Sequence, residues 1–264
     1  MNGEISDIEP GAAYAIVAED VRKGFDGQQV LRGINLTVET GRTVVIVGAS
    51  GSGKTVLVSM FVGLTAPDSG TILVFGEDVT RFSTETEWNM LRMRIGFVFQ
   101  GSALYDSMTV GENVAFPLRH HTNLSAPELE ERVMEKLRLV GLEDAVDKLP
   151  SQISGGMQKR AGLARALALD PDLVIYDEPT AGLDPLRAES VSRHIRELQT
   201  TLGNTAVVVT HDMTCAFTVG DHIAFLDDGV IAEEGNVEEL AHSSDPRVRR
   251  LIKSAECLLG GESQ

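Results

Sequence analysis

The chain reads as an α/β protein: a buried parallel sheet, an antiparallel β-layer ahead of it, and a helical insertion within it. Three observations predict this. Short β-branched apolar runs recur at 43–47, 173–176 and 205–209, the composition of parallel strands covered on both faces. Residues 14–40 instead alternate apolar and polar with glycine turns, as in Val30-Leu31-Arg32-Gly33-Ile34-Asn35-Leu36-Thr37-Val38, which predicts half-buried antiparallel strands. Residues 101–157 then break the strand–helix alternation with helical periodicity.

The first parallel strand, Thr43-Val44-Val45-Ile46-Val47, stops at Gly48, and a helical stretch starts near Lys54. Between them stands Gly48-Ala49-Ser50-Gly51-Ser52-Gly53-Lys54-Thr55, a phosphate loop in its proper strand-to-helix context. Gly48, Ser50, Gly51, Ser52 and Gly53 are the candidate cradle, because glycines let backbone N–H groups converge on phosphate oxygens without Cβ clashes. The following helix adds positive potential at its N-terminus. Lys54 should reach the β- and γ-phosphates of a nucleoside triphosphate, and the Thr55 hydroxyl should coordinate Mg²⁺.

A strand around Thr71-Ile72-Leu73-Val74 follows, then Ile95-Gly96-Phe97-Val98-Phe99, which closes at Gln100. In the helical insertion, Ser125-Ala126-Pro127-Glu128 is a capping-box start. Leu129, Val133, Leu137 and Val140 mark one helical face, and Gly141 ends it. The insertion ends at Ser154-Gly155-Gly156-Met157-Gln158, where a helix over 158–169 begins; Ser154 and the glycine N–H groups form a second anion site there, or Ser154 is an ordinary N-cap. Leu173-Val174-Ile175-Tyr176 runs into Asp177 and Glu178, two carboxylates at the C-terminal end of a strand, where open α/β sheets bind ligands. Asp177 fits the positioning of Mg²⁺, and Glu178 the orientation or deprotonation of an attacking water. The apolar run at 205–209 leads to Thr210 and His211, and the sequence closes with strands around 223–226 and 229–231.

Taken in this order, the motifs resemble those of the nucleotide-binding subunits of ABC transporters over roughly residues 15–240. The resemblance implies a P-loop NTPase (RecA-like) core at about 14–100 and 158–240, a helical subdomain at about 101–157 and a C-terminal tail at 241–264, all one ABC ATPase domain. It makes Ser154-Gly155-Gly156 a signature motif that contacts the γ-phosphate held by a second copy of the chain, so that ATP joins two protomers. It makes Ala181-Gly182-Leu183-Asp184 the D-loop, His211 the switch histidine and Gln100 a further metal-side and catalytic glutamine. It also places Phe25 where an aromatic stacks on adenine, although a phenylalanine near Val21 and Val30 also suits a core. Met157 departs from the pattern, since many relatives carry Gln there; this puts one side-chain contact in question, not the phosphate contact.

Within that family the chain is most similar to the ATPases of Mla/Mce-type phospholipid transport systems. The stretches that carry this are 100–110, 113–119, 153–157 and 245–250. The resemblance implies a membrane permease, an MCE-domain protein and a STAS-domain accessory protein as partners. It also implies a position on the cytoplasmic face of the inner membrane. A small-solute importer and a non-transport ABC ATPase remain alternatives.

Composition bounds these readings. The chain has 264 residues, 42% of them hydrophobic, enough to bury a sizeable core. No apolar run approaches a membrane span of roughly 18–20 residues, so a transport pathway belongs to another polypeptide. The net charge of −16 argues against a nucleic-acid partner. The acidic start with Glu4, Asp7 and Glu9 does not read as a signal peptide. Cys215 and Cys257 have no paired spacing, so neither zinc nor a disulfide framework is expected. Two segments are candidate contact surfaces. Leu104, Tyr105 and Met108 after Gln100 would suit a partner helix or pack internally. Arg247, Arg249, Arg250 and Lys253, interleaved with Val248, Leu251 and Ile252, would be a solvated last helix or a docking segment.

Overall fold

The computed structural model describes residues 14–249 and residue 252. Two sheets organise them. The first is antiparallel and four-stranded, in the order β2-β1-β4-β5, from β1 (Tyr14–Phe25), β2 (Gln28–Glu39), β4 (Ser69–Val74) and β5 (Glu77–Asp78). The alternation read in residues 14–40 is the β1–β2 hairpin, and β4 pairs on the other side of β1.

The second sheet is six-stranded, in the order β10-β9-β3-β8-β7-β6. Its strands are β3 (Thr43–Val47), β6 (Ile95–Val98), β7 (Leu173–Asp177), β8 (Thr205–Thr210), β9 (His222–Asp227) and β10 (Val230–Gly235). All neighbours are parallel except the β9–β10 hairpin. Every residue of β3, β7 and β8 is buried.

Side-chain alternation sends each strand's residues to two different cores. Val44 and Ile46, with Ile175, Val207 and Val209, pack toward the antiparallel sheet and α1 (Lys54–Phe61). Val45 and Val47, with Val174, Tyr176 and Val208, pack toward the other helices. These are α3 (Val110–His121), α4 (Ala126–Leu139), α5 (Gly155–Ala166), α6 (Pro185–Leu202) and α7 (Met213–Val219). α2 (Glu85–Arg92) lies before β6, and α8 (Val237–Ala241) follows β10. Each buried Val or Ile contributes about 1.5–3 kcal/mol relative to exposure.

The helical insertion contains α3 and α4. α4 begins at a Ser125–Glu128 capping box, buries Val133 and Leu137, and is followed by Gly141 at φ 62°. α5 starts three residues earlier than the predicted 158, because Ser154 caps it and Gly155 and Gly156 form its first turn. It ends at Ala166, ahead of a turn through Asp170 at φ 51° into Pro171. No helix among the described residues is long and apolar enough to cross a membrane.

Candidate functional site

β3, β8 and β7 are adjacent and parallel, so the segments leaving their C-terminal ends meet. Val47 stands opposite Thr210, and Asp177 opposite Val209. The loop after β3 folds tightly. A Cβ on Gly48 would lie 2.3 Å from the Leu226 carbonyl oxygen, so only glycine fits. Gly53 caps α1 at φ 104°, with Val30 and Leu31 of β2 against it. The phosphate loop is thus wedged between the two sheets.

Lys54 is 5% exposed. Its Nζ donates to Gly48 O at 2.9 Å and Ala49 O at 3.0 Å, and lies 3.4 Å from Glu178 Oε1. Thr55 Oγ1 donates to Asp177 Oδ1 at 2.9 Å. His211 Nδ1 is 2.8 Å from Glu178 Oε2. Lys54, Thr55, Asp177, Glu178 and His211 therefore form one connected cluster. Burial pushes the Asp177 carboxyl above the usual carboxylate range; the Thr55 hydrogen bond opposes that, while the Glu178 charge adds to it. Glu178 adopts φ 48°, a conformation that costs a non-glycine residue about 1–2 kcal/mol. It is held there by its N–H, which donates to Val209 O at 2.9 Å.

The other predicted residues lie outside this cluster. Gln100 is exposed just past β6, at the same sheet edge, and no side-chain hydrogen bond ties it to the cluster among the described residues. Ser154 is exposed and caps α5 through a 3.3 Å bond from Met157 N–H. A Cβ added to Gly155 or Gly156 would meet nothing within 4 Å, so the start of this helix faces open space. Asp184 is exposed and caps α6, accepting from Arg187 N–H at 3.2 Å. Phe25 is not a core residue: it is 46% exposed at the end of β1, with Lys23 Nζ 5.4 Å from its ring centroid.

The residues at 100–110 divide. Tyr105 is exposed and stacks on Phe116 with centroids 4.8 Å apart, whereas Leu104 packs against the core. A groove of about 420 Å³ opens here, lined by Arg92, Phe97, Phe99, Ala103, Tyr105 and Phe116 among others. Part of the tail packs on the chain itself. Val248 and Ile252 are buried in the helical-side core, and Arg247 pairs with Asp245 and Asp227 at 2.7 and 3.0 Å. Those two apolar positions are therefore taken up by the chain's own core; Arg250, Leu251, Lys253 and Cys257 lie outside the described residues.

Sequence reasoning missed residues that tie the site's loops together. Lys159 Nζ donates to Pro179 O and Ala181 O, behind Glu178. Arg165 donates to Ser102 O and Ala103 O, behind Gln100. Asp212 caps α7 and accepts from Thr180 Oγ1 at 3.3 Å. Asp212 alone had a readable signal, a cap residue directly before a helical run.

The ABC transporter family profile matches residues 31–181. The chain belongs to the ABC transporter family. It is an ATPase of that family, with ATP as its nucleotide. It is 41% identical over 245 residues to the intermembrane phospholipid transport system ATP-binding protein MlaF of Escherichia coli K12, covering 93% of this chain and 91% of that one. It is 40% identical to a probable ribonucleotide transport ATP-binding protein, mkl, of Mycobacterium leprae, covering 90% of this chain and 68% of that one. Among solved structures it matches a dimeric post-hydrolysis state of the ATP-binding cassette MJ0796 bound to ADP and Pi, with TM-score 0.77 and 32% identity over 84% of this chain and 98% of that one. It also matches cbiO1 of Clostridium perfringens, part of the cbiONQ complex, with TM-score 0.80 and 30% identity over 94% of this chain and 98% of that one.

Proposed function

We propose that this ATPase drives phospholipid transport between the inner and outer membranes. It would act as a dimer on the cytoplasmic face of the inner membrane, bound to a permease. The observation that carries the catalytic part is the Lys54–Glu178–His211 chain at the joined ends of β3, β7 and β8, with Lys54 and Glu178 buried and His211 exposed. The substrate class rests on the likeness to MlaF across nearly the full length of both chains.

In this reading the glycine loop and Lys54 hold the β- and γ-phosphates. Ser52 Oγ is buried without a hydrogen-bond partner in the protein, as suits a hydroxyl facing a phosphate oxygen or a metal-bound water. Thr55 and Asp177 present adjoining oxygens, and Asp177 is a desolvated carboxylate that a cation would relieve. That set fits Mg²⁺, which takes one or two protein oxygens beside substrate phosphates; Mg²⁺ would supply charge neutralisation of the phosphates, with Gln100 positioned to approach from the same sheet edge. Glu178 accepts the proton of the attacking water, and His211, already against its carboxylate, orients it. Phe25 stacks on adenine. Ser154, Gly155 and Gly156 contact the γ-phosphate held by the second protomer, and Asp184 lies at that junction.

The groove beside Tyr105 is the surface we assign to a permease helix, because aromatic residues line it and it adjoins the segment after Gln100. MCE-domain and STAS-domain proteins complete the proposed complex. Glu178→Gln tests the chemistry: ATP affinity should persist while turnover falls at least about a hundredfold, and an ATP-bound dimer should accumulate. Near-normal turnover in the assembled complex would remove Glu178 from its role. Co-purification tests the assembly: an MCE-domain partner supports lipid transport, whereas a solute-binding partner would replace it with import.

A further inference from the structure

The loop that carries Glu178 toward α6 is fastened at several points, and one of them has a different origin from the rest. Glu178 N–H donates to Val209 O of β8, and Thr180 Oγ1 donates to Asp212 Oδ2 just beyond β8. Both fastenings come from the sheet edge. Within the loop, Ala181 N–H returns to Glu178 O and Leu183 N–H to Thr180 O. The carbonyls of Pro179 and Ala181 are instead taken by Lys159, at 2.9 and 2.6 Å. Lys159 belongs to α5, one turn past Ser154. Its ammonium is partly withdrawn from water, which pushes it below its usual value, and it feels the Glu178 carboxylate.

We propose that Lys159 is a positioning residue for hydrolysis that links the two composite sites of the dimer. This rests on the reading in which Ser154 serves the partner's nucleotide and Glu178 serves this chain's own. Under that reading a single chain contributes to both sites, Ser154 to one and Glu178 to the other. A rigid helix with Ser154 at its start and Lys159 gripping the loop behind Glu178 transmits engagement at one site to the base of the other. Among the described residues Lys159 hydrogen-bonds only to Pro179 and Ala181 and to nothing in the phosphate loop, so its effect falls on turnover and on communication, not on nucleotide affinity.

The test uses Lys159→Met, which keeps the aliphatic stem and removes the donor, and Lys159→Arg, which restores a cationic donor. In the assembled transporter, Lys159→Met should lower kcat about tenfold, the scale of hydrogen bonds from a charged donor. KM for ATP and the isolated chain's affinity for ADP should stay within about twofold, as expected for a group that does not touch nucleotide. The Hill coefficient for ATP should fall toward one, and Lys159→Arg should recover most of both losses. Unchanged kcat and Hill coefficient in Lys159→Met would overturn the proposal. So would a loss of ADP affinity as large as the loss of kcat, or an arginine variant as defective as the methionine one. Glu178→Gln measured alongside separates the failures. If it is inactive while Lys159→Met is fully active, only the positioning role falls; if Glu178→Gln turns over normally, the hydrolytic reading falls and this inference with it.

Discussion

Two helix starts in this chain are candidate phosphate binders, and they are built in opposite ways. The one before α1 opens through Ser50 and Gly51 but is backed by buried charge: Lys54 is 5% exposed, with two loop carbonyls and Glu178 around its ammonium. The one before α5 is open: Ser154 and Gly155 are exposed, and nothing stands over the glycines. Helix dipole and free N–H groups are common to both. The difference lies in what the chain supplies around them. At α1 the helix's own Lys54 meets two carboxylates and a histidine from the sheet edge. At α5 the cap serine alone accompanies the glycines. An anion site backed by its own cation and carboxylates is complete in itself; one without them suits an anion carried on another molecule.

The strongest way to break this contrast is to damage each site separately. Lys54→Ala should weaken ATP binding to the isolated chain by about ten- to a hundredfold, the worth of charged hydrogen bonds to phosphate. Ser154→Arg should leave that affinity within about twofold, yet abolish turnover in the dimer by blocking its closure. Mixed dimers sharpen the point. One protomer with Lys54→Ala and the other with Ser154→Arg places both defects in one composite site and leaves the other intact. Both changes in one protomer damage both sites. Higher ATPase activity in the first arrangement is expected, and equal, measurable activities would end the cross-chain reading.

The site before α1 was also the more legible one in the sequence, for a physical reason. Phosphate loops need glycines, a lysine and a hydroxyl at set spacing between a strand and a helix, and all of that is local. Asp177 and Glu178 were readable because an apolar strand delivers them to the sheet edge. Lys159 and Arg165 were not, because their partners are backbone carbonyls 20 to 63 residues away, and any residue type presents a carbonyl. The start of α5 was placed late because glycine pairs disfavour helix, a preference that the Ser154 cap overrides here. Leu104 and Tyr105 could not be assigned to core or surface from spacing alone, since irregular segments have no period to read. The fold class followed from patterns that are periodic, and the ties between loops followed from tertiary packing.

A smaller effect separates the base from the phosphates. Phe25 stands exposed at the end of β1, and the phosphate loop is packed against β2 of the same hairpin. If it stacks on adenine, Phe25→Ala should weaken ATP binding about two- to tenfold, the range of aromatic stacking. Phe25→Trp should retain it. Equal losses for ATP and for inorganic triphosphate, measured by competition, would show that Phe25 does not read the base.

The smallest expected effects on nucleotide binding lie in the tail, where a contrast between buried and open groups recurs within a few residues. Val248 is 3% exposed and Ile252 7%, both in the helical-side core. Val248→Asp should therefore destabilise the full-length chain by at least about 2 kcal/mol, with ATP affinity unchanged once folded. Arg247 is instead a surface group. Its hydrogen bonds hold the Asp245 carboxyl down at about 2, and it also reaches Asp227. Because that folded-state value is depressed, the stability linked to Asp245 is fully present above the ordinary aspartate pKa near 3.9 and is lost as pH falls through the depressed value. Arg247→Ala should lower the melting temperature less than Val248→Asp does at pH 7. The gap between wild type and Arg247→Ala should stay constant from about pH 5 to 8 and narrow below about pH 4. A larger loss from Arg247→Ala than from Val248→Asp would mean that the tail is held by its charges and not by its apolar contacts.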